Sequence, residues 1–440
     1  MNKIIKIFFN LLVVIVLVSC KPEPIVVTSI EITSPALKTE YCINEPLDTT
    51  GLEVTASMEN GKREIVTNWT TEFDNTIEGD SIPVIIKYAG TEASYIVSID
   101  KHIWKNGEIV CQKCKNAYDL YETPVDSETG ADATSTSKYI YFGVFPKTVL
   151  PEGSTVTVDE TDSVTMGANT YYKGSDGNYY AKVKEKAYGT KYKYSDDTQV
   201  KESKANSYRY FKVEPIKWKV LTTDYNGKAL LHAEEILTAN VPYYNYNSYE
   251  NTRTVGSDTN IYPNNYKYSQ IRAYLNGLDY YYDQSSTSTV KKTYYTGKGF
   301  LQTAFTAIAQ SKIAETVVDN SKETTGYSES STYAATYACE NTTDKIFLLS
   351  QNEISKLYNF AAYTSRGKKE ITIIVTTDYA KANHAFQSST DGYGGFWWLR
   401  SPYYSYSYYA RYVGYDGYVY NYNLVNRTEN GLVPALSISL

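Results

Sequence analysis

The sequence predicts an all-β sandwich over residues 29–100 followed by an α+β domain over 138–440. Short β-rich runs separated by turn residues fill the first stretch, whereas alternating strands and capped helical segments share the second. Between them lies a Ser/Thr/Asp/Glu/Ala-rich run, Asp126–Lys138, too poor in apolar residues to build a core.

The N-terminus comes first. Lys3 and Lys6 sit in and before an apolar run, Ile4 to Val18, that closes in Leu17-Val18-Ser19-Cys20. A basic start, a short apolar core and small residues before a cut are the marks of a secretory signal peptide, here 1–19. The run is short for a bilayer span. A cysteine directly after Leu-Val-Ser resembles the lipobox of bacterial lipoproteins. That resemblance implies cleavage before Cys20, acylation of its thiol and new amino group, and a lipidated tether over 20–28. It places the chain in the bacterial cell envelope, lipid-anchored. Lys21, where Asp often accompanies inner-membrane retention, points to the outer membrane and the cell surface.

In the sandwich the runs are Ser29–Ile32, Leu52–Thr55, Ile82–Tyr88 and Ser94–Ile99, with turn signals at Asn60-Gly61 and Ala89-Gly90-Thr91. Tyr41, Leu47-Asp48, Gly51-Leu52-Glu53-Val54, Gly79, Tyr88-Ala89-Gly90 and Tyr95-Ile96-Val97 resemble a bacterial immunoglobulin-like domain, which implies a spacer with no site of its own.

Residues 101–137 are expected to be a linker. They carry Cys111-Gln-Lys-Cys114, read outside the cytoplasm as a local disulfide. A structural zinc site wants two more ligands at ordered spacing, and His102 is the only histidine near, so neither metal nor cofactor is predicted.

Over 138–440, Lys138–Gly143 and Ile216–Leu221 alternate as strands. Ser269 can cap a helix through Asn276, with Ile271, Tyr274 and Leu275 on its apolar face and Gly277 as its stop. Ser350-Gln351-Asn352-Glu353 is a capping box opening a helix with Ile354, Leu357 and Tyr358 on one face. Phe300–Val317 reads as a third helix. The Tyr-rich stretches near 150–208 and 240–268 read as surface loops.

Charge and composition narrow the function. The net charge of −6, from 43 basic and 49 acidic side chains without a basic block, argues against nucleic acid. Tyrosine numbers 47, against 12 Phe and 5 Trp, an excess that core filling does not explain. It concentrates at the C-terminus: Tyr403, Tyr404, Tyr406, Tyr408, Tyr409, Tyr412, Tyr415, Tyr418, Tyr420 and Tyr422, interleaved with Ser405, Ser407, Asp416, Asn421, Asn423 and Asn426. This is a paratope composition, in which Tyr supplies amphipathic area at low entropy cost and Ser, Gly and Asn supply adaptable hydrogen bonds. So many hydroxyls could not all find partners in one core, so most rings should face outward. Asp416-Gly417 reads as a hairpin turn between two Tyr-rich strands. Ala410, Val413, Val419, Leu424 and Val425 are the expected inward anchors. Trp397, Trp398 and Arg400 form the expected scaffold beneath, because a binding patch needs a support that holds its geometry.

Motifs spread through the domain resemble a bacterial family with a C-type-lectin fold. They are Tyr141–Pro146, Glu214–Trp218, Ala229–Leu231, Ile271–Asn276, Asp344–Ser350, Gly395–Pro402 and Gly431–Leu436. That family overlaps the variable proteins of diversity-generating retroelements and is related in fold to formylglycine-generating enzymes. One departure is Leu432-Val433, where the family often has Val-Arg. The resemblance implies an α+β C-type-lectin-like domain whose segment 403–430 is diversified and binds ligand. It implies a non-enzymatic surface receptor or adhesin for a protein or glycan on another cell or a phage. A structural envelope lipoprotein with a fixed partner surface is the alternative. A thiol oxidase of the formylglycine-generating kind is disfavoured: this domain holds only Cys339, and His232 and His384 stand in no triad or metal spacing. A calcium lectin is disfavoured because Glu214-Pro215 is followed by Ile216.

Overall fold

The computed structural model describes residues 26–104, 107–115, 118–189, 191–244, 252–282, 292–325, 332–358, 372–390 and 394–440. The signal peptide and Cys20 lie outside the described residues. Among those described, no helix is long and apolar enough to cross a membrane. The chain divides into two units, Met1–His102 and Ile103–Leu440.

The first unit is all-β. Val27–Ser34, Glu53–Met58 and Arg63–Val66 form one antiparallel sheet; Glu40–Cys42, Thr91–Asp100, Gly79–Tyr88 and Thr70–Glu72 form a second. Alternation puts Val84 and Ile86 of one strand and Val97 and Ile99 of its neighbour inward, with Ile30, Tyr41, Val54, Ala56 and Val66. The buried Tyr41 satisfies its hydroxyl on Lys38 and Asp48 carbonyls, both 3.1 Å away. This arrangement is compatible with the immunoglobulin-like reading.

The second unit departs from expectation. Among the described residues of the whole chain strand outweighs helix, 43% to 11%, and this unit holds one large sheet and several small ones. The α+β C-type-lectin-like architecture is therefore not what this domain adopts. Three local misreadings account for the difference. Val158–Met166, Asn169–Gly174 and Tyr179–Lys184, inside the stretch read as a loop, are three antiparallel strands of the large sheet. They join the 18-residue strand Tyr208–Tyr225, which also pairs with Tyr139–Val149 and Lys228–Ala233. Phe300–Val317 is not one helix. It breaks into Phe300–Ala304 and Ala307–Lys312, because Phe305 is extended and the Thr306 side chain accepts the Ala309 N–H to start afresh. The β-branched Thr316–Val318 then forms a strand. The linker too is partly built in: Ile109, Val110 and Tyr121 are buried beside Tyr171 and Val213, and Val125–Asp126 pairs with Tyr139–Val149.

Two helices form where the local signals put them. Gln270–Asn276 is capped by Ser269, whose side chain accepts the Arg272 N–H, and stops at Gly277, φ +68°. Its Asn276 side chain accepts N–H groups from Lys345 and Ile346 and donates to the Ile346 carbonyl, while Arg272 clasps Asp344 at 2.8 Å. Those bonds join the Ile271–Asn276 and Asp344–Ser350 segments. Gln351–Leu357 opens with both halves of the capping box. Gly143 is sterically required. At φ +69° a Cβ there would meet Phe305 at 2.5 Å and the Ala304 carbonyl at 2.7 Å.

Candidate functional site

The C-terminal Tyr-rich segment folds as an antiparallel three-stranded sheet, Trp397–Pro402, Tyr409–Val413 and Val419–Leu424. Tyr412 pairs with Tyr420 and Val413 with Val419 across the second ladder. The turn forms at Asp416-Gly417, with Gly417 at φ +79°, the Gly414 N–H on the Tyr418 carbonyl and the Tyr418 N–H reaching the Asp416 carboxylate.

The first strand of this sheet, Trp397–Pro402, is buried on both of its faces. Trp397, Trp398, Leu399, Ala410 and Val413 are fully buried and Val425 nearly so, while Val419 and Leu424 are half-buried. Outside, Tyr406 is 50% exposed, Tyr422 56%, Tyr420 39% and Tyr415 38%. Tyr403, Tyr404, Tyr408, Tyr409, Tyr412 and Tyr418 are half-buried, as are Ser405, Asp416 and Asn426, and none of the tyrosines from 403 to 422 is buried. Two expected contact residues are engaged within the fold. Ser407 is buried, and Asn423 spends its amide on the Asn430 side chain at 3.0 Å. The side chain of Asn421 lies outside the described residues.

The rings form two islands. In the first, Tyr403, Tyr404, Tyr406, Tyr408, Tyr409 and Tyr422 contact one another with centroids 4.5–6.2 Å apart. In the second, Tyr412 stacks on Tyr420, and Phe396 contacts both Tyr412 and Tyr415. Phe386 stacks on Phe396 at 4.0 Å and receives Tyr188 and Tyr192 edgewise. Tyr188, Tyr192 and Phe386 escaped the sequence reading, and Phe396 entered it only within the Gly395–Pro402 motif; Tyr188 and Tyr192 lie in a stretch taken for a loop, where an aromatic pair carries no positional signal. Burial, then the Asp416 carboxylate, raises the Tyr412 phenol to about 12, and the same causes raise Tyr420, whose hydroxyl donates to Asp416 at 2.8 Å. Near neutral pH these phenols are uncharged donors.

The support is polar as well as apolar. Arg400, 1% exposed, donates to the Leu348 and Asp319 carbonyls and to both carboxylate oxygens of Glu353. Glu353 also accepts the Ser350 N–H and the Tyr225 hydroxyl. Burial pushes the Glu353 carboxyl up, but the Arg400 charge and these hydrogen bonds outweigh it and hold it below the usual range. The Tyr243 hydroxyl holds the Arg400 carbonyl at 2.8 Å, and the Thr372 hydroxyl the Gly417 carbonyl at 2.7 Å.

His232 lies under the sheet, fully buried, with its ring 5.4 Å from Trp397 and Nδ1 2.7 Å from the Tyr358 hydroxyl. Burial, then the charge of Lys219, lowers its pKa from 6.5 to about 3. Between those values the unfolded chain binds a proton that the folded chain refuses. Stability is therefore complete above pH 6.5 and falls as pH drops toward 3, by up to about 1.4 kcal/mol per pH unit. Thermal melts across this range should show the slope, and His232→Gln should flatten it. An unchanged slope in that variant would mean that other groups carry it.

Cys111 and Cys114, the pair read as a local disulfide, are not bonded to each other in the structure. The Cys111 sulfur accepts the Ile103 N–H at 3.4 Å, and the turn after it closes with the Lys115 N–H on the Cys111 carbonyl.

Residues 226–440 match a family described as a domain of unknown function (DUF6273). No curated protein matches the chain.

Proposed function

We propose that the chain is a non-enzymatic, surface-displayed receptor or adhesin, lipid-anchored through Cys20 to the outer membrane. In this reading the outward tyrosines of 403–422, with Ser405, Asp416 and Asn426, contact a protein or glycan on another cell or a phage. One observation supports it above the rest: a run of tyrosines, none of them buried, lies beside a strand, Trp397–Pro402, that is buried throughout. Rings exposed on a rigid base offer large contact area without the cost of ordering a loop on binding.

Diversification of 403–430 follows from the same reading, since residues on such a base can change without disturbing what lies below. The test is comparative sequencing. Across isolates, substitutions should cluster at the outward positions and spare Trp397, Trp398, Arg400, Ala410 and Val413. A near-copy of the coding stretch, differing at adenines, should lie beside a reverse transcriptase. An invariant segment with no such repeat would leave a fixed partner surface in its place.

A further inference from the structure

The loop between Pro402 and Tyr409 carries much of the first aromatic island, yet its anchor lies far away in sequence. Asn264 is fully buried. Its side-chain nitrogen lies 3.1 Å from the Tyr409 carbonyl, 3.2 Å from that of Tyr406 and 3.5 Å from that of Tyr403. Two amide hydrogens thus serve three carbonyls of one loop, at its start, middle and end. The Asn264 carbonyl oxygen is buried and has no hydrogen-bond partner. The residue is therefore placed for what its nitrogen donates, and it leaves one polar atom unsatisfied to do so. Asn264 is itself held. Asn265 and Ser269 donate backbone N–H groups to the Tyr262 and Tyr266 carbonyls, and the Leu348 N–H reaches the Tyr266 hydroxyl. The loop is drawn in further by the Tyr403 N–H on the Tyr409 carbonyl and the Val425 N–H on the Tyr408 carbonyl.

We infer that Asn264 is the positioning residue that sets the path of the tyrosine loop, leaving the side chains of Tyr404, Ser405, Tyr406 and Tyr408 replaceable. These bonds end on backbone atoms, which every residue supplies, so the path they fix does not depend on which side chains the loop carries. The inference rests on reading 403–426 as a binding surface, and it adds that a partner meets a preformed loop. Aspartate at 264 is the sharpest perturbation, because it keeps the shape of asparagine and replaces the donor with an acceptor facing three carbonyls. Burial and those carbonyls would raise the pKa of the introduced carboxyl, and its protonated form can donate again.

The experiment is limited proteolysis of the full-length protein by a protease of broad specificity, with fragments read by mass, at pH 7.5 and pH 5. Wild type and the triple variant Tyr404→Ser/Tyr406→Ser/Tyr408→Ser should resist cleavage within 403–409 equally. Asn264→Asp should be nicked there about tenfold faster or more at pH 7.5, with protection returning at pH 5. Asn264→Ala should fall between, without the pH effect. Three results would overturn the inference: wild-type resistance in Asn264→Asp, cleavage of the triple variant as fast as Asn264→Asp, or cleavage spread over the whole domain, which would assign Asn264 to the core. None of these readouts involves a ligand, so a failed receptor reading and a failed loop assignment remain distinguishable.

Discussion

Arg400→Ala is expected to destabilise the domain by about 3–5 kcal/mol, the cost of leaving one partner of a buried ion pair uncompensated. The guanidinium has almost no contact with solvent and binds two carbonyls besides the Glu353 carboxylate. Its loss would orphan the Leu348 and Asp319 carbonyls and leave Glu353 to the Ser350 N–H and the Tyr225 hydroxyl. Lysine should not rescue, because a single ammonium cannot reproduce the planar fork that reaches both carboxylate oxygens. Arg400→Met combined with Glu353→Gln should recover much of the loss, since removing both charges also removes their desolvation penalty. Urea denaturation of the three variants measures this. A cost below about 1 kcal/mol for Arg400→Ala would show that water replaces the guanidinium and that the site is not dry.

The second large effect separates platform from display. Trp398→Ala should cost about 3–5 kcal/mol, as deletion of a fully buried indole does. The ring packs beside Tyr243 and Tyr412 under the exposed hairpin. Tyr406→Ala and Tyr422→Ala, at the most exposed rings, should stay within about 0.5 kcal/mol of wild type. Trp398→Phe should cost less than alanine, partly because the indole N–H has no hydrogen-bond partner in the fold. Thermal or denaturant melts of all four variants test the contrast. Equal losses for Trp398→Ala and Tyr422→Ala would mean that the tyrosines are structural, and the receptor reading would fall with that result.

Legibility followed interaction range. Ser269 and Ser350 were readable as caps because each bond they make ends three residues away on the same chain. Asp416-Gly417 was readable because the turn depends on the φ that Gly417 accepts. The strands of 158–184 were not. Their buried residues include Tyr171, Tyr179, Tyr180 and Ala181, set in polar sequence, and tyrosine signals burial and exposure equally. The fold class was misjudged with them, as residues taken for loop turned out to be sheet. Phe300–Val317 was misread because its apolar periodicity outlasts the break at Phe305.

Composition and local pattern alone determined the all-β first unit, two helices with their caps, the closing hairpin turn and the contrast between Ala410 or Val413 and the rings around them. Only the tertiary structure decided which tyrosines are core, with Tyr171, Tyr243 and Tyr266 inside and Tyr406, Tyr415, Tyr420 and Tyr422 outside. It also brought Asn264 to the carbonyls of the 403–409 loop, paired Arg400 with Glu353, and set Phe386 and Phe396 against the tyrosines. The reason is physical. A cap or a turn is set by bonds within a few residues, whereas the burial of a ring depends on what the rest of the chain brings against it.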